Sequence, residues 1–117
     1  MKKVILDANA IIYWVKQKVD LISSLESILQ EPFEIATTAS VVEELKKISR
    51  TAKRSSGYAK AALELIAKMN IKVIPSSYTH ADKDIMALVD EDVIVVTNDK
   101  RLKNKTRVLS IGEMRLR

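Results

Sequence analysis

The chain has 117 residues, with 20 Lys and Arg against 15 Asp and Glu, so its formal net charge is +5. This length is enough for one domain with its own hydrophobic core, and we expect residues 1–117 to form a single domain. The absence of cysteine excludes a disulfide framework and cysteine-ligated zinc or iron–sulfur sites, and it fits a reducing cytoplasm.

Strands and helices are predicted to alternate along the chain. The first apolar stretch contains Asp7, which makes it too polar and too short for a signal or membrane segment. Hydrophobic periodicity then predicts, in chain order, a strand over 3–6, helices over 9–17 and 20–30, a strand over 33–38, a helix over 40–49, a polar loop over 51–57, a helix over 58–69, a strand over 71–75, a helix over 80–89, and strands over 93–97 and near 107–111.

This alternation predicts an α/β fold with a mainly parallel sheet covered by helices on both faces. The two fully apolar runs, "VIL" at 4–6 and "VIVV" at 93–96, are typical of central parallel strands, because both of their faces are buried. Functional groups in such folds gather beyond the carboxyl ends of the strands.

Acidic residues follow each of the first four predicted strands. Asp7 follows the first strand and Asp99 the fourth. The turns after the second and third strands lead into helices whose first turns contain Glu43, Glu44, Asp82 and Asp84. At least one carboxylate is therefore expected from every junction at the same edge of the sheet.

Each of these acids also has a purely structural explanation, because carboxylates stabilise helix N-termini. Ser40 and Glu43 have the spacing of a capping box. By helical phase, Glu43 lies almost opposite the buried stripe of its helix, whereas Glu44 lies at the border of that stripe. In the later helix, phase places Asp82 and Asp84 on either side of the apolar stripe and does not choose between them.

A carboxylate cluster without His or Cys favours a hard cation such as Mg²⁺ or Mn²⁺ over zinc. Such a cation can polarise a phosphodiester and lower the pKa of a bound water. Basic side chains that could hold phosphates follow Asp99 directly, and a second group lies in the mid-chain loop: Lys100, Arg101, Lys103, Lys105, and Arg50, Lys53, Arg54. Together these groups are what a metal-dependent nuclease needs.

Four segments in this order, "VILDANAII", "VVEELKK", "ADKDIMALV" and "VVTNDKRL", resemble a PIN-domain nuclease over nearly the whole chain. The resemblance implies a three-layer α/β/α sandwich with about five strands and an Mg²⁺- or Mn²⁺-dependent endoribonuclease. Its catalytic and metal-binding residues would be Asp7, Glu44, Asp82 and Asp99, with Asp84 as an additional ligand. Asn9 and Thr97 would brace Asp7 and Asp99 by hydrogen bonds. Ala8 departs from the family, which usually has Thr or Ser there.

The resemblance also implies partners. One branch of the family contains toxin ribonucleases that dimerise and are silenced by a small protein inhibitor, the antitoxin, and another contains ribosomal-RNA-processing nucleases. Both act on RNA in the cytoplasm, away from membranes.

Three other classes of protein are alternatives. A phosphoryl-transfer enzyme of the haloacid-dehalogenase type would need a second Asp where this chain has Asn9, and a response-regulator receiver would need an Asp after the third strand. The remaining rival is a non-catalytic basic RNA-binding or scaffold protein that keeps the same fold. A pure binder of polyanions gains nothing from clustered carboxylates, which argues against this rival.

Overall fold

The computed structural model describes residues 1–18, 20–75, 81–88, 92–97 and 107–109. Its helices and strands are, in chain order, β1 (Lys2–Leu6), α1 (Ala8–Gln17), α2 (Leu21–Leu29), β2 (Phe33–Thr38), α3 (Ala39–Ser49), α4 (Ser55–Lys68), β3 (Lys72–Ile74), α5 (Ala81–Ala87), β4 (Val93–Val96) and β5 (Arg107–Leu109). No helix in this part of the chain has the length and apolarity needed to cross a membrane.

The strands form one parallel sheet in the order β3-β2-β1-β4-β5. Strand β1 lies at its centre, where Ile5 is in register with Ala36 of β2 and with Val95 of β4. The central strands are apolar because helices or loops cover both of their faces: Val4, Ile5 and Leu6 are fully buried, and all four residues of β4 are buried as well. The sequence prediction of two central strands is confirmed.

The path of the chain explains the layers. From β1 the chain steps through β2 to β3 on one side, and it then returns across β1 to reach β4 and β5. Helices α1, α3 and α4 contact one another, as expected if right-handed crossovers bring the β1–β2 and β2–β3 connections to the same face of the sheet. The predicted α/β/α architecture with a parallel sheet of about five strands is confirmed.

Helix α4 begins earlier than the sequence predicts. It starts at Ser55, whereas the polar loop was expected to extend to residue 57. Ser and Gly are weak helix formers, which is why the sequence favours a loop here. The buried stripe of Ala59, Ala62 and Ile66 anchors the helix, and the preceding Arg54 already has helical backbone angles. Tertiary packing therefore overrides local propensity at this helix end.

The predicted capping box at the start of α3 is wrong. The helix begins at Ala39, and its cap is Thr38, whose Oγ1 accepts a hydrogen bond of 3.2 Å from the amide of Val41. Ser40 is thus already inside the helix. Glu43 is exposed and pairs with Lys46 at 3.3 Å, a surface ion pair of small energetic value.

Two consecutive helices end on a residue in the left-handed conformation that is not glycine. Lys18 ends α1 with φ 54°, and Gln30 ends α2 with φ 52°. A side chain with a Cβ is strained in this region, whereas glycine is not. Arg50 at the end of α3 has an ordinary φ of −92° and provides a comparison within the same chain.

Gln30→Gly should therefore stabilise the protein, by about 0.5–1 kcal/mol, because relief of strain outweighs the added freedom of the unfolded chain. Arg50→Gly, at a position with no such strain, should lower stability. The free energies of unfolding from urea denaturation of the two variants and the wild type provide the check. Equal losses of stability in both variants would contradict the strain at Gln30.

Helix α2 has a cap with an ionisable side chain. Asp20 accepts hydrogen bonds from the hydroxyl of Ser23 at 2.8 Å and from its amide at 3.2 Å. These bonds stabilise the charged form, so the pKa of Asp20 lies below its ordinary value of 3.8, with the Ser23 hydroxyl as the largest cause.

A lowered pKa in the folded state means that Asp20 stabilises the fold above pH 3.8, and that this contribution disappears as the pH falls through the folded-state pKa. Ser23→Ala removes the hydroxyl donor and should raise the pKa of Asp20 towards 3.8. Carboxyl chemical shifts followed by NMR during an acid titration measure both values. An unchanged titration midpoint in the variant would show that the hydroxyl has no such effect.

Candidate active site

Strands β1 and β4 are neighbours at the point where the strand order reverses. The chain adds β2 and β3 on the β1 side of this point, and it adds β5 on the β4 side. At such a point the connections leave the carboxyl edge on different sides, and a crevice opens beyond the strand ends. Asp7 follows β1 directly and Thr97 follows β4 directly. The topology therefore places these two residues together at the crevice, where the sequence predicted a carboxylate.

Three groups hold the carboxylate of Asp7. Its Oδ1 accepts a hydrogen bond of 2.8 Å from the amide of Ala8, and its Oδ2 accepts bonds from Thr97 Oγ1 at 2.7 Å and from Asn9 Nδ2 at 3.3 Å. The backbone is fixed as well, because the Asp7 amide donates to the carbonyl of Val96. The expected bond from Asn9 to Asp7 is confirmed, and Thr97 also bonds Asp7.

All three of these donors are neutral. Among the described residues, no Lys or Arg forms an ion pair with Asp7. Asp7 also caps α1, so neutral donors and the helix dipole hold its carboxylate, and no cation of the described residues pairs with it. This arrangement, with oxygen as the donor atom, fits a bound Mg²⁺ or Mn²⁺.

Buried hydroxyl groups fix the neighbouring strand end. Thr37 of β2 donates a hydrogen bond of 2.8 Å from Oγ1 to the carbonyl of Leu6, the residue that precedes Asp7. Thr38 caps α3. Both threonines are fully buried, as is Thr97. The carboxyl edge of β1, β2 and β4 is therefore tied together by side chains whose hydrogen bonds are made inside the protein.

Glu44 lies in the second turn of α3, close to the carboxyl edge. The helix starts at Ala39, so Glu44 is only about 7.5 Å further along its axis, at about 1.5 Å per residue. Both Glu43 and Glu44 are exposed. Helical phase predicted that Glu44 would be more buried than Glu43, but the two side chains are both exposed.

Asp84 of α5 is buried, with 3% of its surface exposed, and its Oδ2 is inside the protein. Helix α5 contacts both α3 and β2, the two elements that meet at the carboxyl edge next to Asp7. Burial of a carboxylate is costly unless polar or charged partners compensate it. Helical phase did not choose between Asp82 and Asp84, and the family resemblance gave Asp84 only as an additional ligand. Asp82 belongs to α5, but its side chain lies outside the described residues.

The remaining predicted site residues fall into two groups. Asp99 and the four basic residues that follow it, Lys100, Arg101, Lys103 and Lys105, lie outside the described residues. The second basic group is exposed and follows the far end of α3, about 16 Å from the helix start at about 1.5 Å per residue: Arg50, Lys53 and Arg54. It is therefore separated from the carboxyl edge by the length of a helix.

Two of the four predicted metal-binding carboxylates, Asp7 and Glu44, have described side chains. Within the described part of the chain, no group of three or more acidic, His or Cys side chains is arranged to hold a metal. The three predicted ligands with described side chains, Asp7, Glu44 and Asp84, are therefore not grouped closely enough in this structure to hold one ion together. The geometry of the complete cluster stays a prediction.

Comparisons with known proteins agree with this geometry. The sequence model of a family described as "PIN like domain" matches residues 4–117. Ribonuclease VapC4 of Methanocaldococcus jannaschii is 35% identical, and the alignment covers 100% of this chain and 92% of that protein.

Solved structures with the same fold include a PIN domain endonuclease and a VapBC protein. The PIN domain endonuclease Utp24 superposes with a TM-score of 0.74 at 27% identity, covering 92% of this chain and 84% of that one. VapBC2 from Rickettsia felis, solved with a DNA fragment from its promoter, has a TM-score of 0.57 at 14% identity, covering 92% and 98%, and it shows the fold alone. The match over residues 4–117 and the 35% identical relative confirm the resemblance predicted from the sequence, and the chain belongs to the PIN-like domain family.

Proposed function

We propose that this chain is an endoribonuclease that hydrolyses RNA phosphodiesters with the help of Mg²⁺ or Mn²⁺. The observation that carries the proposal is the carboxylate of Asp7, which neutral donors hold at the strand-order reversal without an ion pair in the described part of the chain. The names of two relatives, a ribonuclease and a PIN domain endonuclease, support the same reaction.

The residues proposed to hold the metal are Asp7, Glu44, Asp82 and Asp99, with Asp84 as an additional ligand. When bound, the metal would supply the Lewis acidity that polarises the phosphodiester and acidifies a water. Thr97 and Asn9 orient Asp7, so that its carboxylate does not have to reorganise when the cation binds. Ala8 lacks the hydroxyl usual in the family, yet its amide still donates to Asp7 at 2.8 Å.

Substrate binding is assigned to the basic residues next to Asp99. Lys100, Arg101, Lys103 and Lys105 follow a carboxylate proposed for the metal site, so they would hold the phosphates on either side of the cleaved bond. Arg50, Lys53 and Arg54, beyond the end of α3, would contact more distant phosphates. The net charge of +5 supports a polyanionic substrate.

The biological role that we propose is that of a small, single-domain cytoplasmic ribonuclease. The full-length match to Ribonuclease VapC4 supports the toxin branch, with a small protein inhibitor and a homodimer as partners. The likeness to the endonuclease Utp24, at higher TM-score than the VapBC structure, supports the ribosomal-RNA-processing branch instead. Growth arrest on expression of the wild type, and not of an inactive variant, would favour the toxin.

Asp7→Asn and Glu44→Gln should each abolish metal-dependent RNA cleavage, because each removes a negative charge from the proposed metal site while keeping the size of the side chain. Asn is also a good helix cap, so Asp7→Asn should leave the stability of α1 nearly unchanged. Cleavage of a labelled RNA in Mg²⁺ and in Mn²⁺, together with thermal unfolding, measures both effects.

Glu43→Gln is the matched control for Glu44→Gln, because both side chains are exposed neighbours on α3. It breaks only the ion pair with Lys46 and should cost less than about 1 kcal/mol without loss of cleavage. If Glu43→Gln inactivates the protein and Glu44→Gln does not, the assignment of Glu44 is wrong. A wild-type protein that binds RNA and cleaves none in either metal would support the non-catalytic RNA-binding scaffold.

Replacing Lys100, Arg101 and Lys103 with Ala should weaken RNA binding and flatten its salt dependence. Each lost phosphate contact lowers the slope of log affinity against log salt by about 0.7 for single-stranded RNA. Cleavage at saturating RNA should stay close to that of the wild type. Titrations of labelled RNA at several salt concentrations, with Ca²⁺ in place of the active metal, measure the slope.

The charge-matched control replaces Lys2, Lys3 and Lys72 with Ala. These lysines begin β1 and β3 and thus lie towards the amino ends of the strands, away from Asp7. The control should keep the wild-type salt slope. Should the first triple variant keep that slope too, the basic run after Asp99 does not contact substrate, and Arg50, Lys53 and Arg54 become the assigned contacts.

A further inference from the structure

One tyrosine lies on the surface where α4 begins. Tyr58 is 37% exposed, more than any other aromatic side chain in the described part of the chain. The ammonium of Lys16, near the end of α1, lies 5.9 Å from the centre of its ring, a cation–π contact. The neighbouring Gly57 is also exposed, and a Cβ added there would meet no atom of another described element within 4 Å. The ring of Tyr58 is therefore accessible to a ligand from solvent.

The chain on both sides of Tyr58 is strongly basic. Residues 45–63 contain no Asp or Glu, and their Lys and Arg residues are all exposed: Lys46, Lys47, Arg50, Lys53, Arg54 and Lys60. Among the described residues, no carboxylate forms an ion pair with Arg50, Lys53 or Arg54. Arg54 already has helical backbone angles and precedes Tyr58 by four residues, so the two side chains lie on the same side of the helix. An exposed ring thus lies among cations that have no acidic partner in this part of the chain.

Two helices that start at the carboxyl edge of the sheet lead to this basic surface. Helix α1 starts directly after Asp7, and Lys16 lies nine residues further on, about 14 Å along the axis at about 1.5 Å per residue. Helix α3 starts at the same edge and reaches Arg50 after about 16 Å. A stacked single strand advances about 3.4 Å per nucleotide, so either distance corresponds to about four or five nucleotides. A strand that is cut at the carboxyl edge is therefore long enough to reach Tyr58.

An aromatic ring among cations has the two features with which proteins bind single-stranded nucleic acid. The cations follow the phosphates, and the ring stacks on a base of any type, because every base has a flat π face. An acidic protein would use the cations but not the face of the ring. In an A-form RNA duplex the bases are paired and stacked inside the helix, so a stacking side chain favours unpaired nucleotides.

We propose that Tyr58 stacks on an unpaired base of the RNA, about four or five nucleotides from the cleaved bond. Arg50, Lys53 and Arg54 hold the phosphates next to that base. The inference rests on the proposed ribonuclease function and deepens it, because it restricts the substrate to RNA that is single-stranded on one side of the cut. Packing of Tyr58 against α1 alone would give the ring no effect on RNA binding, so the two explanations predict different results.

The test measures binding of a labelled oligoadenylate of about 16 nucleotides at several salt concentrations, with Ca²⁺ in place of the active metal. Tyr58→Leu should lower the affinity at least about fivefold, the lower end of the range for base–aromatic stacking. The slope of log affinity against log salt should stay that of the wild type, because loss of the ring changes no phosphate contact. Tyr58→Phe keeps the ring and should bind like the wild type. Thermal unfolding of both variants checks that they are folded.

The basic residues should give the opposite result. Lys53→Ala with Arg54→Ala should flatten the slope by about 1.4, which is about 0.7 for each lost phosphate contact. The matched controls lie at the far end of α4 and at the start of β3. Met69→Ala removes a side chain of similar exposure, 41%, and should keep the wild-type affinity. Lys68→Ala with Lys72→Ala removes two exposed cations and should keep the wild-type slope.

An abasic oligomer of the same length and phosphate number provides a measurement on the unchanged protein. The wild type should bind it at least about fivefold more weakly than oligoadenylate, whereas Tyr58→Leu should show a much smaller difference. A wild type that binds both oligomers equally overturns the proposal, even if Tyr58→Leu does not fold. A ring variant with wild-type affinity also overturns it, and Tyr58 then only packs against α1. A wild type that binds oligoadenylate and cleaves no RNA removes the nuclease function, and the stacking of Tyr58 is still decided by the two oligomers.

Discussion

The hydrogen bond between Thr97 and Asp7 joins two residues that are 90 positions apart in the sequence. It forms only when β4 lies beside β1 with Val96 in register with Leu6. A slip of one residue would turn the apolar side chains of β4 to the opposite face and move Thr97 away from the carboxylate. Burial of both faces of the central strands fixes their register. This register in turn fixes the position of the Asp7 carboxylate relative to Thr97.

The same carboxylate has a second task, because it also caps α1. Asp7 has extended backbone angles and accepts a hydrogen bond from the amide of Ala8 at the helix start. The first helix and the candidate site thus share one side chain. Carboxylates at helix N-termini are stabilised by the helix dipole. The position of Asp7 at the start of α1 therefore stabilises the helix and also keeps a carboxylate at the candidate site.

Much of this arrangement could be predicted from the sequence. Continuous apolar runs at 4–6 and 93–96 can be stable only where both faces are buried, and this identified the central strands. Because parallel strands end at a common edge, the position of Asp7 followed from its place after the first run. The bond from Asn9 to Asp7 was implied by the resemblance to PIN-domain nucleases.

Other features depend on contacts that one segment of sequence does not contain. Thr38, and not Ser40, caps α3, because β2 ends at Thr38 and the helix begins at the next residue. The start of α4 depends on packing of its buried stripe, and the burial of Asp84 depends on the approach of α5 to α3 and β2. Local propensity and helical phase describe one element at a time, so they could not predict that Asp84 is buried.

The pairing of β4 with β1 also sets the moment during protein synthesis at which the site can exist. A chain that ends before residue 93 can pair β1 with β2 and β2 with β3, but it has neither β4 nor Thr97 to hold Asp7. Contacts between distant parts of a chain form late, after the intervening residues are available. A growing chain on the ribosome therefore lacks the Thr97–Asp7 bond until most of its sequence has emerged, so the carboxylate that we propose for the metal site is held in place only late in synthesis.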